Sequence, residues 1–370
     1  MKVGIYTHYL DIYPTSAPSL YQMKLIENLG NFKNIEIILI HHYKNSNLEI
    51  YKEFEEAIIS KFPYFREKDI NSLHLDIIHF NSIPWYLKMP LLNNITCKKI
   101  ATVHGDIHWV EPELGYNKIT EFFRRFEEPK MAKLLDNLIA VSNSLKSSLV
   151  KYLKYPEQRI KVIYGGIDHS IFYPRTHEEI EVIKAKYEID DPYILHVSAY
   201  SKRKNPNVLF RSFKLIKNEI SEIKLVIAGK GWPEEYEDKL NYYRLNKEDI
   251  KFLGWVDEKD LPVLYTGATV FFFPSYHENF GFPSLEAMAC GTPVVSSNRY
   301  AIPEIVGKAA ILHDPNDYKS FANSIIRLLT NENMRKNLIK KGLRQAKKFS
   351  WERTAKETYY VYKGVVNNGQ

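Results

Sequence analysis

The sequence predicts an α/β protein built from two doubly wound, parallel-sheet domains. With 370 residues, of which 45% are hydrophobic, the chain is long enough to bury two cores. Short apolar runs alternate with amphipathic helical segments, a pattern typical of parallel sheets that are covered by helices on both faces. The pattern runs as two series separated by a turn-rich stretch, which indicates two domains of similar architecture.

Apolar runs rich in β-branched residues predict the strands of both domains. The first series is IEIILI (35–40), LDIIHF (75–80), KIATVH (99–104), NLIAVS (137–142) and KVIY (161–164). The second series is YILHVS (193–198), KLVIAG (224–229), IKFLG (250–254), TVFFFP (269–274) and TPVVSS (292–297). Between the two, Gly165, Gly166 and Pro174 interrupt the periodicity within YGGIDHSIFYPRTHEEIE (164–181). We therefore expect the first domain to end at residue 172.

Composition limits the cellular setting of the protein. The two cysteines, Cys97 and Cys290, cannot form a disulfide framework or a metal cluster, which suits a reducing cytosol. The start MKVGIYTHYL is too short and polar for a signal peptide, and no run of about 18 apolar residues follows it. We therefore expect a cytoplasmic protein.

The net charge of +7 is concentrated in one segment, MRKNLIKKGLRQAKK (334–348). At helical spacing Leu338, Ile339 and Leu343 share one face and the lysines share the other, which predicts a solvated helix surface. Binding of anionic lipid or polymer is the alternative interpretation. The 14% aromatic content matches no RNA-binding motif, so we expect no nucleic-acid partner.

The stretch HENFGFPSLEAMACGTPVVSS (277–297) combines two acids with a helix start. Pro283 suits a first helical residue and Gly291 suits a left-handed stop, so we expect a helix over 283–290. Glu286 then lies one turn inside the helix, while Glu278 lies in the loop before it. Gly281 allows a ligand to approach the backbone closely.

The expected helix start offers a site for a phosphate and a polyol. Free N–H groups near 281–285 form a positive helix end that favours phosphate. A carboxylate close to that end needs a different partner, and the paired hydroxyls of a sugar or ribose provide one. The pattern therefore indicates a ligand that joins a sugar, a phosphate and a ribose.

A second helix start carries two cations, Arg203 and Lys204, directly before Asn205 and Pro206. Asn205 reads as the N-cap and Pro206 as the first helical residue. Cations at a helix N-terminus gain nothing from the helix dipole, so their position indicates a bound anion.

These motifs resemble those of the GT-B glycosyltransferases, in particular the large retaining family 4 with its E-x7-E signature. The similarity extends to VIYGGIDHSIFYP (162–174), VSAYSKRKNPNVLFRSF (197–213), LVIAGKGW (225–232) and FLGWVDEKDLPVLYTGATVFFFPS (252–275). It implies two Rossmann-like domains that face a central cleft. It further implies that the amphipathic segment near the C-terminus returns to the first domain. The expected domains are 1–172 with the helix 352–370 on the acceptor side, and 173–351 binding the nucleotide sugar.

The resemblance assigns the donor contacts residue by residue. Glu278 is implied to contact the donor sugar, and Glu286 the ribose hydroxyls. Arg203 and Lys204 are implied to neutralise the leaving diphosphate. The remaining donor contacts that it implies are backbone groups of Phe280, Gly281 and Phe282, together with Gly229 and Glu304. For Glu304 a helix-start acid after Pro303 is the alternative interpretation.

On the acceptor side, VHGDIHW (103–109) supplies three candidates after a predicted strand. The resemblance places His104 against the donor sugar and the acceptor. Asp106 reads either as an acceptor contact or as a loop cap, and His108 as a groove residue. Relatives carry a Gly-Gly pair after the first strand, whereas HYLDIYPTSAPSLYQ (8–22) has no glycine, so Ser16 or Ser19 takes that contact. Ser19 also reads as an N-cap.

The resemblance implies a hexosyltransferase that works with retention of anomeric configuration. The expected donor is a UDP-sugar or GDP-sugar, without metal or other cofactor, and the acceptor is a glycan, a lipid-linked glycan or a small hydroxyl compound. The alternatives are a GT-B sugar-nucleotide epimerase, a catalytically silent sugar-nucleotide-binding scaffold, or a hydrolase that uses the two acids as acid and base. The mixed Phe and Arg residues of 118–135 leave open a peripheral contact with the inner face of the membrane. The oligomeric state is not predicted.

Overall fold

A computed structural model describes residues 1–41, 49–58, 67–85, 87, 89–114, 118–189, 192–232 and 240–367. The chain forms two compact units. Unit 1 comprises Met1–Gly166 and Trp351–Gln370, and unit 2 comprises Ile167–Ser350. The break lies in the turn-rich stretch that interrupts the strand pattern, a few residues before the expected boundary at 172.

Unit 1 contains a 7-stranded parallel sheet with the order β3-β2-β1-β4-β5-β6-β7. Its strands are β1 (Lys2–Tyr6), β2 (Glu36–His41), β3 (Glu55–Ile58), β4 (Ile77–Phe80), β5 (Lys98–Val103), β6 (Asn137–Ala140) and β7 (Ile160–Val162). Its first helices are α1 (His8–Ile12), α2 (Ala17–Leu29), α3 (Glu67–Asn71), α4 (Met89–Asn94), α5 (Ile107–Val110), α6 (Lys118–Ala132) and α7 (Asn143–Leu153). All five predicted runs of the first series coincide with strands. The predicted series lacks β1 and β3; two of the four residues of β3 are glutamates.

Unit 2 contains a 6-stranded parallel sheet with the order β10-β9-β8-β11-β12-β13. Its strands are β8 (Tyr193–Val197), β9 (Lys224–Ala228), β10 (Ile250–Gly254), β11 (Val270–Phe273), β12 (Val294–Ser297) and β13 (Ala310–His313). Its helices include α8 (His177–Tyr187), α9 (Pro206–Glu219), α10 (Leu261–Gly267), α11 (Phe282–Ala289), α12 (Ile302–Val306), α13 (Tyr318–Thr330) and α14 (Glu332–Ala346). The strands β11 and β12 are fully buried, as apolar parallel strands covered on both faces must be.

A last helix, α15 (Trp351–Asn367), belongs to unit 1 although it follows unit 2 in the chain. It packs against α2, where the rings of Tyr21 and Trp351 meet edge to face at 5.3 Å. The hydroxyl of Tyr362 lies 2.6 Å from Nδ1 of His79 at the centre of the sheet. Burial lowers the pKa of His79 to about 3, so the imidazole stays neutral in this contact.

The cationic segment 334–348 falls mainly in α14 and forms a solvated surface, as predicted. Leu338, Ile339 and Leu343 are half-buried, while Lys336 and Lys340 are exposed. Within the described ranges, no helix combines the length and the apolar composition that crossing a bilayer requires.

Strand order in unit 2 identifies where a ligand is expected. β8 lies between β9 and β11, so the strand order reverses at β8. In open parallel sheets, ligands bind beyond the carboxyl ends of the strands at such a reversal. The chain that follows β8 and the chain that follows β11 therefore define the candidate site.

Candidate functional site

The segments after β8 and β11 bring two cations and one acid together. Arg203 Nη1 donates to Glu278 Oε1 over 2.8 Å, and Lys204 Nζ donates to the same oxygen over 2.6 Å. The hydroxyl of Ser275 donates to this oxygen over 2.7 Å. The predicted anion site and the first acid of the E-x7-E motif are thus one cluster.

Asn205 holds this cluster in place from the start of α9. Its side chain accepts from the N–H of Val208, which makes it the N-cap, as predicted. Its Nδ2 donates to the carbonyls of Pro274 and Pro315 over 3.1 and 2.6 Å. The N–H of Tyr276 donates to the carbonyl of Arg203 over 2.8 Å. The two loops are therefore fastened to each other through their backbones.

Burial and charge act in opposite directions on the acid–cation cluster. Burial alone would raise the pKa of Glu278, but Lys204 and Arg203 lower this pKa to about 2. Burial lowers the pKa of Lys204 to about 8, with a further contribution from Arg203 that Glu278 opposes. Glu278 is therefore ionised at neutral pH, and two cations surround one carboxylate.

Glu286 lies half-buried on α11 and has a different environment. Its Oε2 accepts from the hydroxyl of Tyr265 over 2.9 Å. Burial raises the pKa of Glu286 to about 7; the Tyr265 hydrogen bond counteracts the rise and the charge of Glu258 adds to it. The two acids of the motif thus differ widely in pKa, and Glu286 changes its charge near neutral pH.

The turn before α11 depends on Gly281. This residue has φ of +97°, and a Cβ added to it would lie 2.5 Å from Cδ1 of Ile302. The helix begins at Phe282, one residue before the expected start, because Pro283 takes the second position. Phe280 is buried, and its ring centroid lies 4.5 Å from that of Phe282.

The other two donor candidates have distinct settings in unit 2. A Cβ at Gly229 would lie 1.9 Å from the carbonyl oxygen of Ser198. Glycine is therefore required there by the close approach of the chain after β9 to the chain after β8. Glu304 lies half-buried in the first turn of α12, which is the helix-start position that its alternative interpretation describes.

In unit 1, His104 directly follows β5 and is half-buried. Its Nε2 lies 2.8 Å from Oδ1 of Asn81, and its ring meets that of Tyr21 edge to face at 4.8 Å. Burial, with a contribution from His79, lowers the pKa of His104 to about 3. The imidazole is therefore neutral at physiological pH, with its Nε2 proton directed at Asn81.

The remaining acceptor-side candidates are Asp106, His108 and Ser16, and two of them make contacts within unit 1. Asp106 is buried and directly precedes α5. His108 is fully buried, with Nε2 2.9 Å from Oε2 of Glu128 on α6, so its side chain lies inside unit 1 rather than along a groove. Ser16 is the N-cap of α2 and accepts from the N–H of Ser19 over 3.4 Å. The interpretation of Ser19 as an N-cap is therefore wrong.

Three residues that support the site are not among the sequence candidates. Ser275 holds Glu278, Tyr265 holds Glu286, and Asn81 holds His104. Ser275 carries a local signal, since it follows β11 three residues before the acid. The other two contacts join residues 21 and 23 positions apart along the chain, and no spacing rule predicts them. Across the described residues, no group of three or more His, Cys, Asp or Glu side chains is arranged to hold a metal ion.

Comparison with known proteins places the chain in a family. Residues 179–345 match the family described as Glycosyl transferases group 1, and residues 21–171 match Glycosyltransferase Family 4. The chain belongs to these family 4, group 1 glycosyltransferases, and the site residues of unit 2 lie within the first match.

One relative and two solved structures illustrate the similarity. The O-antigen chain mannosyltransferase B of Escherichia coli is 34% identical over 245 residues, which are 65% of this chain and 64% of the relative. The chain thus spans slightly less than two thirds of that protein. A sucrose-phosphate synthase from Thermosynechococcus elongatus is 20% identical, with a TM-score of 0.80 over 100% of both chains. Anabaena HepE, solved with UDP and glucose, is 16% identical, with a TM-score of 0.79 over 98% of this chain and 100% of its own. The fold is that of the GT-B glycosyltransferases, as predicted.

Proposed function

We propose that the protein is a retaining glycosyltransferase that moves a hexose from a nucleotide-diphosphate sugar to a hydroxyl group of a glycan. The observation that carries this proposal is the convergence of Arg203, Lys204 and Glu278 at the strand-order reversal of unit 2. Membership of a glycosyltransferase family supports the proposal. The relative named a mannosyltransferase and the neighbour solved with UDP and glucose support its sugar and nucleotide parts.

The charge balance of the cluster suits a diphosphate. Arg203 and Lys204 together carry two positive charges, and Glu278 neutralises only one of them. Lys204 is buried, so its charge is weakly screened by water and acts strongly on an anion nearby. We assign to Lys204 and Arg203 the stabilisation of negative charge that develops on the diphosphate as the sugar leaves. Each such contact contributes on the order of 10²–10³ in rate.

Glu286 is the residue that we assign to the ribose. An ionised carboxylate only accepts hydrogen bonds, and a ribose diol offers two donors. The Tyr265 hydroxyl already bonds to Oε2 over 2.9 Å and so orients the carboxylate for a second partner. The donor base that we propose is uracil or guanine.

The two acids could also be read as the acid and base of a hydrolase, because their pKa values lie far apart. Three hydrogen bonds on Oε1 of Glu278, from Ser275, Arg203 and Lys204, argue against this reading, because they reduce the nucleophilicity of the carboxylate. We therefore assign Glu278 to orienting the donor sugar. In our proposal the leaving phosphate oxygen takes the proton of the acceptor hydroxyl, which yields retention without a separate protein base.

The reaction as proposed needs no metal ion, because the two cations supply the charge that a metal provides in other transferases. The acceptor is a glycan, a lipid-linked glycan or a small hydroxyl compound, and the O-antigen relative favours a glycan. We assign His104 and Asp106 of unit 1 to the acceptor side. Neutral His104 would then act as a hydrogen-bonding group rather than as a proton donor.

The first experiment measures nucleotide binding by calorimetry in the presence of EDTA. UDP, GDP and ADP are titrated into the wild type, into Glu286→Ala, and into Glu352→Ala as a matched control with an exposed glutamate on α15. The proposal expects micromolar binding of UDP or GDP that Glu286→Ala loses and Glu352→Ala keeps. Equal binding by all three proteins would contradict the ribose assignment. Absence of binding to the wild type would favour a different ligand.

A second experiment tests transfer itself. The sugar donors of the nucleotide that binds are incubated with glycan acceptors, mannose donors first, and the anomeric configuration of the product is read by NMR. Retained configuration supports the proposal. A product with inverted configuration, an epimerised donor, or free sugar alone would replace it with an inverting transferase, an epimerase or a hydrolase.

A further inference from the structure

Helix α6 presents a row of large apolar side chains to solvent. Ile119, Phe122, Phe123 and Phe126 are 72%, 57%, 55% and 56% exposed. Their spacing of three, four and seven residues places them on one face of the helix. In a water-soluble helix this face normally packs against the core, so its exposure needs an explanation.

The opposite face of α6 buries two acids, and Met131 and Ala132 are buried at the C-terminal end of the helix. Glu121 and Glu128 are 8% and 1% exposed. The two oxygens of Glu128 bond to His108 at 2.9 Å and to Arg124 at 2.6 Å. Arg125 donates from Nε to the carbonyl of His108. The helix is thus fastened to unit 1 by polar contacts, and the phenylalanine row faces outward.

Because Glu121 and Glu128 are buried on the inner face, the charged side chains on the outer surface of α6 are mainly cationic. Arg124 and Arg125 are half-buried beside the phenylalanine row, and Lys130 and Lys133 are exposed at its C-terminal end. Glu127 is the acid on this side, and it pairs with Lys130 at 2.8 Å. Arg124 is likewise neutralised by Glu128, so Arg125 and Lys133 give the outer surface its net positive charge.

We propose that this face of α6, defined by Ile119, Phe122, Phe123 and Phe126 with their flanking cations, docks onto an anionic lipid bilayer. Apolar side chains would enter the acyl boundary, and the arginines and lysines would meet the negative headgroups. A helix that lies flat in the interface needs neither the length nor the composition of a spanning helix. This inference rests on α6 alone and does not depend on the proposed transferase activity.

A second copy of the chain fits this surface less well. A two-fold contact through α6 would bring the cationic flanks of both copies together, and like charges at an interface oppose association. A single row of four side chains is also far smaller than the roughly 800 Å² per partner that a stable interface buries. The bilayer complements both features of the surface.

The test compares vesicle binding of the full chain by co-sedimentation. Phosphatidylcholine vesicles with and without phosphatidylglycerol are mixed with the wild type and with Phe122→Ser/Phe126→Ser. A matched control, Tyr242→Ser/Tyr360→Ser, removes two aromatic rings that are 81% and 57% exposed elsewhere. Because all four positions are exposed, the variants should unfold at the same temperature as the wild type.

The wild type and the tyrosine control are expected to bind the anionic vesicles, and binding should weaken as ionic strength rises. The Phe122→Ser/Phe126→Ser variant should bind at least about tenfold more weakly, while its nucleotide binding stays unchanged. Equal loss in both variants, or no binding of the wild type to anionic vesicles, would overturn the proposal. A wild-type dimer that the phenylalanine variant dissociates, without vesicle binding, would assign the face to a second copy instead.

Discussion

Lys204 Nζ donates to Oε1 of Glu278 over 2.6 Å, and both side chains are less than one-tenth exposed. The pair joins the chain after β8 to the chain after β11, at the point where strand order reverses. Because Arg203 shares the same oxygen, the carboxylate holds two cations in position before any ligand arrives. A phosphate that enters here meets charges that need little reorganisation, which is the arrangement that stabilises a leaving group most effectively.

Replacement of Lys204 by methionine should lower kcat by roughly 10²–10³, because it removes one charged contact to the departing diphosphate while retaining the length of the side chain. Lys202→Met is the control, since Lys202 lies in the same loop and is exposed. Steady-state kinetics with the donor identified by calorimetry measure both. A Lys204→Met enzyme with wild-type kcat would remove Lys204 from the reaction.

Replacement of Glu278 by glutamine should destabilise the fold by roughly 3–5 kcal/mol, because Lys204 then stays buried without a counter-charge. The pKa of Lys204 is about 8 in the wild type, below the ordinary lysine value of 10.5, and loss of Glu278 lowers it further. The folded variant therefore loses this proton at a lower pH than the folded wild type, and its stability deficit should shrink as pH rises toward about 8, where the wild-type lysine loses its proton as well.

Urea denaturation across this pH range measures that deficit. The double variant Glu278→Gln/Lys204→Met should recover most of the lost stability at neutral pH, since it buries no unpaired charge. If the double variant is as unstable as Glu278→Gln, the ion pair is not the source of the effect.

Nucleotide binding should weaken as pH falls through about 7, the pKa of Glu286, because the carboxylate must be ionised to accept from the ribose diol. Affinity is expected to drop about tenfold between about pH 8 and about pH 6. Glu286→Gln should bind weakly throughout, with only the smaller dependence that comes from the phosphate ionisation near pH 6. Calorimetry at several pH values measures the nucleotide affinity of both proteins. If affinity depends on pH in the same way in the wild type and in Glu286→Gln, the assignment of Glu286 to the ribose is disproved.

The same carboxylate predicts a stability change of defined sign. The folded pKa of Glu286 is raised from 4.5 to about 7, so the folded state favours the protonated form and loses stability as pH rises through this range. Glu286→Gln, which cannot ionise, should therefore melt higher than the wild type at pH above 7 and close to it at acid pH. Thermal unfolding without nucleotide measures this difference. A variant that melts lower than the wild type above pH 7 would show that burial does not raise the pKa of Glu286.

His104 should remain neutral over the physiological range, because burial lowers its pKa to about 3. Its imidazole resonances in a heteronuclear NMR spectrum should not titrate between about pH 5 and about pH 8. Titration of His104 in this range would open a role as proton donor that our proposal does not include.

Gly281→Ala should destabilise unit 2 by about 1–3 kcal/mol, because alanine rarely adopts φ of +97° and its Cβ would meet Ile302 at 2.5 Å. Adding Ile302→Val removes the Cδ1 atom that the new Cβ would meet but not the backbone strain, so recovery should be partial. Gly364→Ala in α15 is the control, since its added methyl group meets open space and should stabilise the helix slightly. Chemical denaturation curves compare the three variants.

The sequence predicts the strands of both sheets because their apolar runs are short, β-branched and bounded by polar turns. The predicted runs omit β1, β3 and β13; in β3, Glu55 and Glu56 interrupt the apolar pattern, and β13 has only four residues, all half-buried. Sequence also singles out Arg203, Lys204, Glu278 and Glu286 as site candidates, because these residues follow strands or start helices at recognisable spacing. The partners of these residues are harder to predict, since Tyr265 reaches Glu286 through tertiary packing rather than through any local pattern.

Helix α6 shows a different limit of prediction. The spacing of Ile119, Phe122, Phe123 and Phe126 is that of a core-facing stripe, and the pattern alone does not show which side faces solvent. The orientation is decided by Glu128, whose contacts with His108 and Arg124 place the polar face inward. The same long-range contact explains why His108 is internal.

The return of α15 to unit 1 has a consequence for how the chain folds during synthesis. Tyr21 and His79 emerge early from the ribosome, but their partners Trp351 and Tyr362 emerge only after all of unit 2. Unit 2 is continuous in sequence and can complete its fold first, although it is translated second. Unit 1 must wait, with the α2 surface and the buried His79 uncovered, until the final helix is released. This interval is the period in which chaperones would be needed most.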